Sequence, residues 1–448
     1  MPFIMLAKLT KLLKARAVVM LADKMVKLLA GAVLTILLAR ILGAAELGIF
    51  AIVMAWSAFL VPIGSMGLNN IVVRRMQQQP NSDAAMSLLY TAVALRLTTA
   101  LLAALLALGL FWWFYPELMQ GHTGIAIPML FVLQSFFGLL LFEFYLHYQG
   151  TFRSLALVKI AITCLSFAAK LLLLLSGFGI ASLLWITAVE FLVVGLSQYW
   201  LYRRKQQPWQ QSEPLWPGFS WRYVRLEQAK ALLKRSSWLW LSGIVSVIYL
   251  KIDLVMLGAM AGAEQAGLYA AASRLSELWY VFPATLAARY YPDMLKAYQH
   301  SWPHYLARLR RFAGLFLSAA LVIAVVMTLA ASWLVPLLFG KDFAPAVAVL
   351  QIHIWAGCFI FVRYLISQHL VITEQESLSL LSHGIAALLN VGLNWWLIPI
   401  MGIQGAAWAT LIAYAYASFF FLFFSATTRK QLWQLLRLKA VSAPKESK

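Results

Sequence analysis

Apolar runs of about 20 residues, the length a helix needs to cross a bilayer, follow one another almost without pause from Ala15 to Thr427. Within lipid, only helices or closed barrels satisfy every backbone N–H and C=O. These runs are too long and too continuous for the alternating ten-residue pattern of a barrel strand. The expected fold is therefore an all-α polytopic membrane protein. Composition agrees, since 62% of the 448 residues are hydrophobic and only 12% are charged.

With Gly, Pro and charge clusters as punctuation, twelve transmembrane helices are expected near 17–41, 47–73, 86–113, 124–149, 154–176, 179–202, 236–260, 266–290, 312–338, 345–371, 377–399 and 403–426. Lys8, Lys11, Lys14 and Arg16 precede the first, Arg74 and Arg75 follow the second, and Arg153 follows the fourth. The 203–235 and 291–311 segments and the tail from Arg429 carry most of the remaining Lys and Arg, all on the same side, while the opposite connections hold little beyond Arg40 and Lys341. By the positive-inside rule both termini are cytoplasmic. The formal charge of +20 is then a topology signal rather than a nucleic-acid surface. The basic, amphipathic start "MPFIMLAKLTKLLKAR" reads as an interfacial helix leading into a retained anchor. Cys164 and Cys358 both sit in apolar runs, so neither a disulfide framework nor a metal site is expected.

The chain also repeats itself. "GAAELGIFA" (43–51) aligns with "GAEQAGLYA" (262–270) at an offset of 219, and "GIASLLWIT" (179–187) with "GIQGAAWAT" (402–410) at 223. This suggests a duplication into two six-helix lobes, 1–202 and 236–426, joined by a cytoplasmic linker 203–235 and followed by a basic tail 427–448. An even number of spans per lobe implies a pseudo-twofold along the membrane normal. Pro62 and Pro283 fall at comparable places in the second and eighth spans, where each can kink its helix.

Ionisable groups at mid-membrane are expensive and normally face a bundle interior or a watery cavity. Leaving aside Arg40 and Arg289 at span ends, eight cations and five carboxylates lie within the expected spans. Lys24 and Lys159, near span ends, are able to snorkel. Asp23 and Lys27 are spaced i,i+4, and Arg274 and Glu277 i,i+3, so each pair is placed to neutralise itself on one helix face. Arg96, Lys170 and Arg363 have no opposite charge within four residues and need partners from other helices, water or a bound anion. Lys27, Arg96, Lys170, Lys251, Arg274 and Arg363 are the candidates for a cationic substrate cavity between the two lobes, and Asp23, Glu143, Glu190 and Asp253 the candidates for ion coupling. Such a cavity suits an anionic head group such as a diphosphate, held by charge-assisted hydrogen bonds. Asn69, Asn70, Gln134, Asn390 and Asn394 are placed to meet sugar hydroxyls or to bridge helices.

The stretch "KIDLVMLGAMAGAEQAGLYAAASRLSELWYVFPATLAARYYPD" (251–293), with "LARILGAAELGIFAIVMAW" (38–56) and "MGIQGAAWATLIAY" (401–414), resembles the polysaccharide-biosynthesis export family, the Wzx-type oligosaccharide flippases of the MOP (MATE-like) superfamily. The resemblance implies alternating-access translocation of a polyprenyl-diphosphate-linked oligosaccharide from the cytoplasmic to the periplasmic leaflet, for O-antigen, capsule or exopolysaccharide assembly. It implies no cofactor, and as partners the lipid-linked glycan, membrane lipids, a polysaccharide polymerase and chain-length proteins. A lipid II-type or multidrug MOP transporter would share the fold. A membrane scaffold or enzyme of polysaccharide assembly is the alternative of a different class. The chain has no Asp-x-Asp, His-Glu-x-x-His or Gly-x-x-x-x-Gly-Lys motif, and His300 and His304 read as surface residues.

Overall fold

The computed structural model describes residues 2–78, 83–148, 150–206, 223–424 and 426–436. The core of the expected linker and most of the basic tail lie outside the described residues. Fourteen α-helices account for nearly all that is described: α1 (Pro2–Ser65), α2 (Leu68–Gln78), α3 (Asp83–Phe114), α4 (Thr123–Gln134), α5 (Leu141–Tyr148), α6 (Phe152–Leu175), α7 (Ile180–Gln206), α8 (Leu226–Glu277), α9 (Val281–His300), α10 (Trp302–Phe339), α11 (Ala346–Ile372), α12 (Glu376–Met401), α13 (Ile403–Ser418) and α14 (Ala426–Leu436).

Among the described residues ten stretches are long and apolar enough to cross a membrane, fewer than the twelve spans expected. The two longest, Leu21–Ser65 with 45 residues and Leu226–His300 with 75, account for the difference. A 45-residue helix rises about 68 Å, more than twice the hydrocarbon thickness. Each stretch contains one glycine with non-helical backbone: Gly43 (φ 84°, ψ −176°) and Gly262 (φ 88°, ψ 171°). These are the two glycines that align in the sequence repeat, so the repeat carries the same backbone break. The second repeat agrees, since α7 and α13 begin at Ile180 and Ile403, directly after the aligned Gly179 and Gly402.

This backbone region is essentially closed to residues with a Cβ, at a cost of about 1–3 kcal/mol. No atom lies within 4 Å of a Cβ built at Gly43 or Gly262, so the cost would be purely conformational. Gly43→Ala and Gly262→Ala are each expected to lower the unfolding midpoint of the purified protein. Gly109→Ala, in open space within α3, should leave it unchanged or raise it, because Ala is the better helix former. Equal midpoints for Gly43→Ala and Gly109→Ala would contradict the break.

Four expected spans are interrupted, the one over 266–290 by a 3-10 segment, Leu278–Tyr280, between α8 and α9. The span expected over 47–73 stops at Ser65, where Met66 (φ 52°) and Gly67 (φ 63°) turn the chain before α2. The 124–149 span is broken by a 3-10 segment, Ser135–Leu140, between α4 and α5. The last span ends at Ser418, and a further 3-10 turn, Phe420–Phe423, precedes α14.

Residues 1–247 and 248–448 form two compact units, and the boundary falls inside α8. In the first unit α4 packs on α7, and α1 on α3 and α6. In the second, α11 packs on α10 and α13, and α12 on α13. The sequence of α13 explains its central place: Ala406, Ala407, Ala409, Ala413 and Ala417 are all fully buried. With no hydrophobic drive between helices in lipid, small residues gain attraction by letting backbones approach. Exposed aromatics mark helix ends, with Trp112 and Trp113 closing α3 and Trp395 and Trp396 near the end of α12, as an interfacial belt requires.

Candidate functional site

In the first unit, α1 presents Asp23 and Lys27 one turn apart, and their side chains pair at 3.1 Å. Lys159 of α6 extends this pair into a network, with its Nζ 2.7 Å from Glu143 of α5 and 3.9 Å from Asp23. His147, one turn beyond Glu143, lies 3.2 Å from the same carboxylate. Three sequence candidates, Asp23, Lys27 and Glu143, are thereby joined through Lys159, which the sequence assigned only to snorkelling. Its partner is 16 residues away on another helix, a relation that same-helix spacing does not reveal.

Lys170 takes its partner from the neighbouring helix: its Nζ donates to Glu190 of α7 at 2.8 Å, and the Ser166 hydroxyl donates to the same carboxylate. Lys170 is 7% exposed, so removing it strands a carboxylate with little solvent. Breaking a buried pair on one side costs about 3–5 kcal/mol, whereas replacing both members by neutral groups is often harmless. Lys170→Met is therefore expected to lower the unfolding midpoint sharply, and adding Glu190→Gln should restore most of it. Independent losses in the two single variants, simply summed in the double, would show that the pair is not coupled.

In the second unit Glu277, spaced for Arg274, instead accepts from Lys251 at 2.8 and 3.0 Å. Asp253, two residues on from Lys251, points elsewhere and is 5% exposed. Tyr269 donates to its Oδ2, Thr410 of α13 donates to the same oxygen at 3.2 Å, and Oδ1 has no hydrogen-bond partner. His353 of α11 packs edge-on against Tyr269 at 5.8 Å between ring centroids. Asn390 donates to the Tyr249 carbonyl at 3.3 Å and so ties α12 to α8, while Asn394 donates to the Asn390 side chain at 2.6 Å within α12. Of the five carboxylates in the expected spans, Asp253 alone makes no ion pair within 4 Å among the described residues.

The remaining cations are arginines. Arg96 on α3 donates to Asn69 at 2.6 Å and to the Phe137 carbonyl at 3.4 Å, inside the 3-10 interruption. Arg363 on α11 donates to the Ala417 carbonyl at 2.6 Å, beside the break that ends α13, and to Ser379 at 2.8 Å. His383 is 3.0 Å away and the Phe421 ring lies beneath the guanidinium at 5.3 Å. A broken helix in lipid must have its released carbonyls satisfied, and each arginine answers one. Both remain 5% exposed or less. Arg274 is half-buried. Among the described residues none of the three has a carboxylate within 4 Å, and each keeps a buried Nε–H without a partner. With four lysines neutralised, most of the embedded positive excess resides on Arg96 in the first unit and on Arg274 and Arg363 in the second. The sequence could not see the helix breaks that Arg96 and Arg363 serve, since their partners are backbone atoms.

A model of the family described as "Polysaccharide biosynthesis protein" matches residues 13–296. Among curated proteins, the probable flippase AglR of Haloferax volcanii is 25% identical over 397 residues, 86% of this chain and 77% of that protein. The inward closed lipid II flippase MurJ shares the fold with a TM-score of 0.67 at 16% identity, over 91% of this chain and 87% of that one. An inward-facing multidrug resistance MATE transporter of the MOP superfamily gives 0.64 at 14%, over 95% and 100%. A MOP superfamily transporter from Pyrococcus furiosus, described as having a binding pocket of reversed polarity that suggests a different function, gives 0.59 at 14%, over 94% and 95%.

Proposed function

The chain belongs to the polysaccharide biosynthesis protein family, and from that premise we propose that it is a flippase for a polyprenyl-diphosphate-linked oligosaccharide. It carries the lipid-linked glycan from the cytoplasmic to the periplasmic leaflet by alternating access, supplying O-antigen, capsule or exopolysaccharide assembly. It does so in a bacterial inner membrane with both termini cytoplasmic, and polymerase and chain-length proteins act on what it delivers. The carrying observation is that Arg96, Arg274 and Arg363, all in membrane-embedded helices, each keep a buried Nε–H unpartnered and have no carboxylate within 4 Å among the described residues. A guanidinium fork is matched to phosphate oxygens. Lys170 and Lys251, held by carboxylates in this state, become available only if those pairs open during the cycle.

Likeness to a probable flippase at 25% identity supports the same direction. A multidrug transporter is the second reading, favoured by the shared fold, but a carrier of organic cations would need acidic groups where this chain keeps arginine. We assign ion coupling to Asp253, because its carboxylate is embedded, unpaired and has one oxygen unpartnered. Asp23, Glu143 and Glu190 are already held by lysines. A strain lacking this protein should accumulate lipid-linked glycan sequestered in the cytoplasmic leaflet. Loss of glycan synthesis itself would favour an enzyme or scaffold instead.

A further inference from the structure

The second unit contains an apolar groove of about 470 Å³ that the transport reading does not use. α10 lines it through Ala313 and Leu317, α11 through Phe359 and Val362, and the C-terminal segment through Leu422 and Gln431. Along α10 the lining runs from Leu306 to Leu317, about 16 Å at 1.5 Å per residue. Gly314 and Leu317 are exposed, so the groove opens sideways toward lipid.

The polar groups in its wall are satisfied internally. His369 bridges Tyr305 at 2.7 Å and Gln431 at 3.2 Å, and Thr428 donates to the Leu422 carbonyl at 2.8 Å. The groove therefore asks for hydrocarbon rather than for a hydrogen-bonding ligand. If a methylene occupies about the volume of a water, roughly 30 Å³, the groove holds roughly 16 of them. That is room for one acyl chain.

Charge at one end completes the description. The first three turns of α10 carry Arg308, Arg310 and Arg311, α14 carries Arg429 and Lys430, and neither helix contains a carboxylate. Arg310 lines the groove itself and donates to the Gln434 carbonyl, while Trp302 donates to the Gln434 side chain at 3.0 Å, so α14 is docked against this end of α10. Arg429 and Lys430 are exposed beside that junction, whereas Arg308 and Arg311 line a separate pocket with Asp293 of α9. Basic clusters at a membrane surface attract anionic lipid head groups.

We propose that this groove binds one acyl chain of an anionic glycerophospholipid, with its phosphate at the basic ends of α10 and α14. The bound lipid braces α14 against α10 and α11. The site stands apart from the flippase reading, and its test does not require transport. Full-length protein in nanodiscs of phosphatidylcholine is supplied with a trace of phosphatidylglycerol, or of phosphatidylcholine, bearing a photoreactive acyl chain. The expected result is labelling of peptides covering 306–317 and 358–369, stronger for phosphatidylglycerol by about tenfold. Arg429→Gln with Lys430→Gln, both exposed, should erase that preference. Gly314→Phe, whose Cβ would meet nothing within 4 Å, should remove the labelling. Equal labelling by the two probes, labelling without enrichment in these peptides, or full displacement by equimolar polyprenyl phosphate would overturn the proposal.

Discussion

Arg363→Gln and Arg96→Gln are each expected to cut glycan export by roughly 10- to 100-fold while membrane levels of the protein stay within about twofold. The magnitude follows from a charge-assisted hydrogen bond to a phosphate, about 1.5–3 kcal/mol, converted at about 1.4 kcal/mol per decade. Gln is chosen over Ala because the structure gives each arginine a second duty. Arg363 donates to the Ala417 carbonyl and Arg96 to Asn69 and the Phe137 carbonyl, and an amide keeps one donor for these groups. Ala would leave released carbonyls in a low-dielectric interior, which costs stability whatever the function. The paired variants Arg363→Lys and Arg96→Lys keep the charge but lose the fork. They should retain partial export if anion binding is the role. Export that tracks protein level in all four variants would mean that the arginines only close helix breaks.

Asp253→Asn is expected to abolish gradient-driven transport, a loss of tenfold or more, without destabilising the protein. Its Oδ2 accepts from Tyr269 and Thr410, and Asn can keep an acceptor there, so packing is preserved while the ionisable group disappears. Removing an uncompensated charge from a 5%-exposed site relieves a desolvation penalty, so the unfolding midpoint should hold or rise. Glu190→Gln is the contrasting variant. It leaves Lys170 without its partner at 2.8 Å and should lower the midpoint. Asp253→Asn protein that still responds fully to an imposed pH gradient would remove Asp253 from the coupling step.

The helical membrane fold was legible because lipid leaves few solutions for long apolar runs. The repeat was legible because Gly43 and Gly262 occupy a backbone conformation that other residues avoid. The Asp23–Lys27 pair was legible from its one-turn spacing. What spacing could not reveal depends on how helices rotate against each other. Lys170 and Glu190 are 20 residues apart, and Glu277 chose Lys251, 26 residues back, over Arg274 on its own face. The break at Phe419 was also hidden, because phenylalanine is no helix breaker, whereas the one at Met66 lies beside Gly67, a residue type that could have marked it. Arg96 and Arg363 stood out as cations without local partners, yet their bonds to backbone carbonyls could only follow from knowing where the helices stop.

The most direct measurement places the purified protein in liposomes containing a fluorescent polyprenyl-diphosphate-linked oligosaccharide and follows glycan exposed outside with a membrane-impermeant glycosidase. The account predicts that wild-type protein makes nearly all of the glycan cleavable, whereas protein-free liposomes leave about half protected, and that Arg363→Gln slows the second phase by tenfold or more. A protected half that persists with active, correctly folded wild-type protein, under an imposed ion gradient, would contradict it.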